Sequence, residues 1–181
     1  MKINIVKIGN PVLLGKKADV PLRELGSKKF QVFIGRMVWT MRKAQGVGLA
    51  ANQIGHNKRV FVMECRNSKR YPKSPGFTLQ AYVNPRIIRT SKSVGLDWEG
   101  CLSIPGYRGL VPRFRRITFE AYTPGGLKIR KTVRGFEARV VQHEIDHLNG
   151  FFYINRMRDL KYWMALDEFN RRFKSGLKDR G

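Results

Sequence analysis

The chain holds three histidines, and two of them, His143 and His147, stand four positions apart in the stretch VVQHEIDHLNG. On a helix this spacing puts both imidazoles on one face, about a turn from each other. Two neutral ring nitrogens so arranged can grip one divalent ion, and Glu144 beside them is in place to take a proton from water that the ion polarises. Histidines at helical spacing can also merely pack or solvate, but the glutamate between them points to hydrolytic chemistry. A catalytic centre of this type needs a third protein ligand and one open position. Three places in the sequence compete for that ligand. A histidine six residues past His147 would serve, but Tyr153 stands there, although Gly150 fits the pattern. Glu168 lies at a spacing suited to a carboxylate delivered from a later helix. Cys101, in EGCLSIPG, offers a soft thiolate that a borderline ion holds tightly.

A lone cysteine is ordinarily a small buried hydrophobe. Around Cys101, however, Gly100 gives backbone freedom and Pro105-Gly106 bounds the segment, which suits presentation of a side chain. Cys65, the only other cysteine, ends an apolar run and reads as structural, so no disulfide framework is expected and a reducing compartment is implied. His56, in the polar stretch GHNK, reads as exposed. Asp146 reads as turned away from the ion side, at the surface or behind the ligands. Phe136 and Val140 fall on the same helical stripe as His143 and His147, so they can wall a pocket beside the ion, although the same period also serves an ordinary core. Arg139 stands next to that wall. GVGLAA fits a relaxed dinucleotide fingerprint, yet a helical pattern precedes it where that fingerprint needs a strand, so no such site is expected.

The elements that must position these groups can be read from hydrophobic period. From Ser27 onward, Phe30, Phe33, Ile34, Met37, Val38 and Met41 recur at three and four, which predicts an N-terminal amphipathic helix stopped at Gly46. Residues 3–14 suggest a short strand and a turn at Gly9-Asn10-Pro11. RVFVMEC and TLQAYVNPRIIRT read as strands, with Pro85 requiring an edge or a break. Residues 66–77 read as a surface loop. RRITFEAYTPGGLKIRKTVRG predicts a β-hairpin turning at Pro124-Gly125-Gly126. The histidines lie on a helix over 137–149, closed by Asn149-Gly150. A further helix is expected from Arg158 to Phe173, packed through Leu160, Trp163, Met164, Leu166 and Phe169. The fold class is α+β: mostly antiparallel sheets around a central metal-binding helix, with an N-terminal and a C-terminal helix. One catalytic domain is expected over 1–181, with 158–181 as a helical tail.

Apolar residues at 42% against 27% charged indicate a globular chain and not a disordered one. No apolar run is long enough to span a bilayer, and Asn4, Lys7 and Asn10 interrupt any signal-peptide core, so no membrane partner and an intracellular setting are expected. The net charge of +23 favours anionic surroundings such as a ribosome surface. The basic residues are scattered, and no zinc-finger spacing, RNA-recognition aromatic signature or KH-type loop is present, so no dedicated nucleic-acid site is expected.

GVGLAANQIG, EGCLSIPG and QHEIDHLNG, in this order, resemble the three motifs of the peptide deformylases, and GNPVLL resembles that family's opening. The resemblance covers residues 5–155. It implies that Cys101, His143 and His147 hold one divalent metal ion, with Fe²⁺ the usual native ion and Zn²⁺, Ni²⁺ or Co²⁺ as alternative occupants. It implies that Glu144 is the acid–base group, and that the Gln53 amide and the Leu102 N–H donate to the substrate oxygen as charge builds. It places Gly48 and Leu49 near a pocket for a methionine side chain, walled by Phe136 and Val140, and an extended peptide along Val47 and Gly100. The implied activity is removal of the formyl group from nascent N-formylmethionyl peptides, in a bacterial-type cytoplasm or an organellar matrix, with transient ribosome association. A zinc endopeptidase using Glu168 and a basic RNA-binding module with a structural metal are the competing readings.

Overall fold

The computed structural model describes residues 4–66 and 75–173. The expected loop over 66–77 falls mainly outside these residues, as do the tail beyond Phe173 and the start of the N-terminal segment. In chain order the principal elements are α1 (Lys28–Lys43), β1 (Gly48–Ala50), β2 (Val60–Cys65), β3 (Phe77–Thr90), β4 (Val94–Cys101), β5 (Ile104–Phe114), β6 (Arg116–Tyr122), β7 (Lys128–Arg134), α2 (Gly135–Leu148), β8 (Trp163–Ala165) and α3 (Leu166–Phe173). Every strand pairing is antiparallel. One sheet runs β1-β2-β3-β6-β7 and a second runs β4-β5-β8. The expected α+β class and its central helix are therefore present.

α1 starts where Ser27 Oγ accepts the Phe30 N–H, satisfying a donor that the first turn leaves open. Of the predicted stripe, Phe30, Ile34, Met37, Val38 and Met41 are buried and Phe33 is partly buried. β2 alternates between two cores, as a period of two demands. Val60 and Val62 pack with α1, while Phe61 and Met63 pack with Val140, Val141, Ile145 and Leu148 of α2. The first sheet is thus held between α1 and α2, and α2 is pinned along its length. At the C-terminal end of α2, Asn52 Nδ2 donates to the His147 carbonyl (2.8 Å) and Arg59 donates to the Leu148 carbonyl (3.2 Å). Both satisfy acceptors that a helix end leaves orphaned.

Two expectations need correction, and a third is narrowed to one of its alternatives. Residues 4–14 form no strand. The segment runs extended, with Val6 N–H on the Gln53 carbonyl and Ile8 N–H on the Ser103 carbonyl, then makes a short 3-10 turn over Pro11–Leu13. It ties two of the motifs together instead of joining a sheet. Pro85 sits at a break, the second of the two places expected for it, since β3 lies between β2 and β6 and is not an edge. It is tolerated at a bulge, where Asn84 takes a φ of 52° and the register slips between Val83 and Arg86. The stretch from Arg158 is not one helix. It contains a 3-10 turn (Leu160–Tyr162), then β8, then α3, and Leu160 is 67% exposed. Trp163 instead stacks on Tyr107 at 4.5 Å, and Phe169 meets Trp98 at 5.1 Å.

Candidate metal centre

Three parts of the fold converge on α2. β1 and the 3-10 turn after it (Ala51–Ile54) bring Gly48 and Gln53; the tight turn between β4 and β5 brings Cys101 and Leu102; α2 brings His143, Glu144 and His147. Ligand atoms of Cys101, His143 and His147 all lie within 4.8 Å of one another, and Cys101 Sγ is 3.1 Å from His147 Nε2. Of the competing third ligands, only Cys101 joins the pair. Glu168 is exposed on α3 and ion-paired with Arg171, and Tyr153 is buried with its hydroxyl accepting from Trp163 Nε1–H.

The donor set fits a borderline dication. One sulfur and two imidazole nitrogens at these separations can each approach a common ion to roughly 2.0–2.3 Å with little movement. Burial opposes ionisation of Cys101, yet His147 and His143 more than offset it and hold the thiol well below its usual range. His143 Nδ1 is 2.8 Å from Glu99 Oε2, which fixes the ring and leaves Nε2 for the site. Glu144 is 3% exposed and its Oε2 has no partner among the described residues. An orphaned carboxylate oxygen beside a three-donor cluster is a group left for chemistry. Burial pushes its carboxyl up to about 7, opposed by the nearby imidazoles.

A cleft of about 460 Å³ opens beside these groups. Val47, Gly48, Gly100, Phe136 and Val140 all line it, as the sequence suggested. Leu49 does not. It is fully buried against Met37 and Met41 of α1, because neighbouring strand residues face opposite sides of the sheet and Gly48 takes the cleft side. Gln53 is held from both ends: its Oε1 accepts the Ala50 N–H (2.9 Å), while Nε2 lies 3.1 Å from Ser103 Oγ and 3.6 Å from Cys101 Sγ. Leu102 lines the cleft, and its carbonyl accepts from Lys7 Nζ. His56 is exposed, Cys65 is buried, and neither belongs to the site. GVGLAA leads into β1 and a 3-10 turn, with no helix to receive a pyrophosphate.

A Cβ built on Gly48 would lie 2.2 Å from Glu144 Oε1, so the bare backbone of β1 is what admits the carboxylate. Gly48→Ala is expected to push Glu144 aside and to lower kcat about 10²-fold, the usual cost of misplacing a reacting group by about 1 Å. Bound metal should be unchanged. Steady-state kinetics with elemental analysis checks this, and an unaltered kcat would show that the carboxylate has room to spare.

Behind the ligands lies a network that the sequence reading missed. Arg113 bridges Glu99 (2.9 and 3.0 Å) and Asp146, Arg156 closes on Asp146 at 2.7 Å, and Arg139 donates to Glu99 and to the Val111 and Gly95 carbonyls. Asp146 does point away from the ligands, but it is buried and paired, not at the surface. Arg139 is buried and lines the cleft, and its guanidinium braces β4 and β5. Burial disfavours the Glu99 carboxylate, but Arg113 and His143 overcome this and hold it well below the usual carboxylate range. The one available signal was Glu99 itself, an acid immediately before Gly100-Cys101; Arg113 is one of many scattered basic residues.

The family model for polypeptide deformylase matches residues 2–163. The chain is 44% identical to peptide deformylase 1 of Bordetella pertussis and to peptide deformylase 2 of Pseudomonas putida, in each case over 86% of this chain and 88% of the relative. Among solved structures it is similar to the Met-Ala-Ser-bound class I type b peptide deformylase of Acinetobacter baumannii, with a TM-score of 0.84 and 36% identity over 87% of this chain and 99% of that one. The peptide deformylase of Thermotoga maritima matches with a TM-score of 0.76 and 32% identity, over 88% and 99%. The chain therefore belongs to the polypeptide deformylase family, metal-dependent hydrolases that remove the formyl group from nascent peptides.

Proposed function

We propose that this protein hydrolyses the formyl group from the N-terminal formylmethionine of nascent chains at an ion held by Cys101, His143 and His147. The observation that carries the reading is the convergence of those three side chains around Glu144, whose second oxygen is unpaired, at the wall of the cleft. A bound dication supplies Lewis acidity toward the formyl carbonyl and toward water. Glu144 accepts the proton released as water attacks, and returns it to the departing amine. Gln53 Nε2 and the Leu102 N–H donate to the carbonyl oxygen as negative charge builds on it. Phe136 and Val140 take the methionine side chain, with Gly48 forming the opposite wall. The peptide runs extended past Val47 and Gly100, so main-chain pairing accepts many sequences after the methionine.

The family resemblance implies Fe²⁺ as the native ion, and a donor set of one thiolate and two imidazoles also accepts Zn²⁺, Ni²⁺ or Co²⁺. The protein acts as one catalytic domain over 1–181, with 158–181 as its tail. No described helix is long and apolar enough to cross a membrane. The reading places the enzyme in a bacterial-type cytoplasm or an organellar matrix, where formylated chains are made, and the charge of +23 supports transient association with the ribosome.

Anaerobic purification, elemental analysis and a formate-release assay test the proposal. Cys101→Ser is expected to lose the metal or its activity, while Glu168→Gln keeps both. The reverse pattern would establish the endopeptidase arrangement instead.

A further inference from the structure

The chain's excess positive charge has no part in the hydrolytic chemistry, and the sheet register gathers six of its cations onto one surface. α2 covers one face of the first sheet. On the other face α1 covers β1, β2 and part of β3 through Leu49, Val60, Val62 and Val83. Beyond α1, the buried Ile117, Phe119, Ala121 and Val133 face α2, so their neighbours along β6 and β7 face outward. The pairing sets these outward residues in rows. Arg86, Glu120 and Arg130 form one; Arg89, Thr118 and Thr132 form the next; Arg116 and Arg134 form the last, and Lys128 flanks the first. All six cations are exposed. Arg86 is paired with Asp19, and Lys128 and Arg130 share Glu120. Among the described residues no carboxylate lies within ion-pair distance of Arg89, Arg116 or Arg134.

We propose that this sheet face binds the phosphate backbone of RNA without reading its sequence. RNA as the source of the phosphates rests on the deformylase reading, because nascent chains emerge from an RNA-rich particle. Five of the six cations are arginines, whose planar forks match phosphate oxygens in pairs. Same-face neighbours on a strand repeat every ~6.7 Å and adjacent strands lie ~4.8 Å apart, so the backbone sets the arginines out on a regular grid, and the exposed side chains are ordered on binding. The hydroxyls of Thr118 and Thr132, 2.9 Å apart, add donors of the kind that position a backbone. The rows offer no exposed aromatic platform for unstacked bases, and the large apolar side chains exposed beside them are Ile88 at the β3 bulge and Leu127 in the hairpin turn. β3 and the β6–β7 hairpin build the face together, with β4 and β5 between them in the chain, which is why no linear signature announced it.

The test uses fluorescence anisotropy of a labelled RNA duplex over a range of salt concentrations, with formate release from a short formyl-Met peptide measured in parallel. The triple variant Arg89→Ala, Arg116→Ala, Arg134→Ala is expected to weaken binding equally for unrelated duplex sequences. It should also flatten the slope of log affinity against log salt by about 3, one for each phosphate contact removed. Its formate release should equal that of the parent, which also verifies folding. The triple variant Lys28→Ala, Lys29→Ala, Arg36→Ala removes the same charge from α1 and should change the slope by less than about 1. Equal losses from the two triples, or parent binding to anionic vesicles as tight as to RNA, would overturn the proposal. Binding is read without turnover, so a parent that binds RNA through this face but releases no formate would count against the deformylase reading alone.

Discussion

Glu144→Gln is expected to reduce kcat for formate release by about 10²–10⁴-fold, the range over which a positioned acid–base group contributes. Glutamine keeps the shape of the side chain and its place between His143 and the β1 backbone, and removes only the capacity to take up a proton. The carboxylate contacts no ligand atom through Oε2, and its neighbours Cys101, His143 and His147 are unaltered, so metal content should match the parent. KM should change little, because the cleft lining is conserved in volume. The loss should therefore sit in kcat and kcat/KM alike, the signature of an interaction made only in the transition state. Single-turnover formate release on metal-matched protein separates this from a metal defect. A variant within about 10-fold of the parent would remove Glu144 from the proton transfer and leave the ion and Gln53 to carry the reaction.

The parts of this molecule that the sequence discloses are those whose period is local. α1 and α2 show a stripe at three and four, β2 is a short apolar run, and the β6–β7 hairpin carries its own turn at Pro124-Gly125-Gly126. The candidate ligands could be named for a related reason: His143 and His147 are neighbours on one helix, and the motif around Cys101 is short. β4 and β5 were not legible, since Gly95, Gly100, Pro105, Gly106, Gly109 and Pro112 interrupt any alternation there. These strands exist because they pair with each other, Asp97 opposite Val111 and Glu99 opposite Gly109, and not because of their own propensity. The same holds for β8, three residues recruited by Tyr107–Gly109 of β5. The Glu99–Arg113–Asp146 bridge is hidden more deeply. It needs the β4–β5 pair and α2 in place before its members meet, and each one alone reads as an ordinary surface charge. Leu49 failed for the opposite reason: a motif names a stretch, but only the strand's alternation decides which of its residues reach the cleft.

That bridge has the largest expected effect on stability. Arg113→Met keeps much of the side-chain volume and deletes the cation between two buried carboxylates, Glu99 at 3% exposure and Asp146 at 6%. Breaking a buried pair from one side costs about 3–5 kcal/mol, because the partner's charge stays behind without compensation. Here Glu99 retains Arg139 at 2.8 Å, while Asp146 retains only Arg156, which is 42% exposed. The expected loss is thus at the lower end, about 3 kcal/mol, and it should appear as a drop in melting temperature of roughly 6–12 °C for a chain of this size. Arg156→Met removes an outer, solvent-screened partner and should cost at most about 1 kcal/mol. The two variants differ in a second way. Arg113 holds Glu99, and Glu99 holds His143 at Nδ1, so loosening the carboxylate frees the ring that presents Nε2 to the ion. Metal affinity should fall about 10–100-fold in Arg113→Met, as when a ligand loses its supporting partner, and stay at the parental level in Arg156→Met. Denaturant unfolding of both variants, with and without added metal, separates the two contributions. If Arg113→Met unfolds within about 1 kcal/mol of the parent and binds metal as tightly, the bridge supports neither the fold nor the histidine, and the orientation of His143 must come from α2 packing alone.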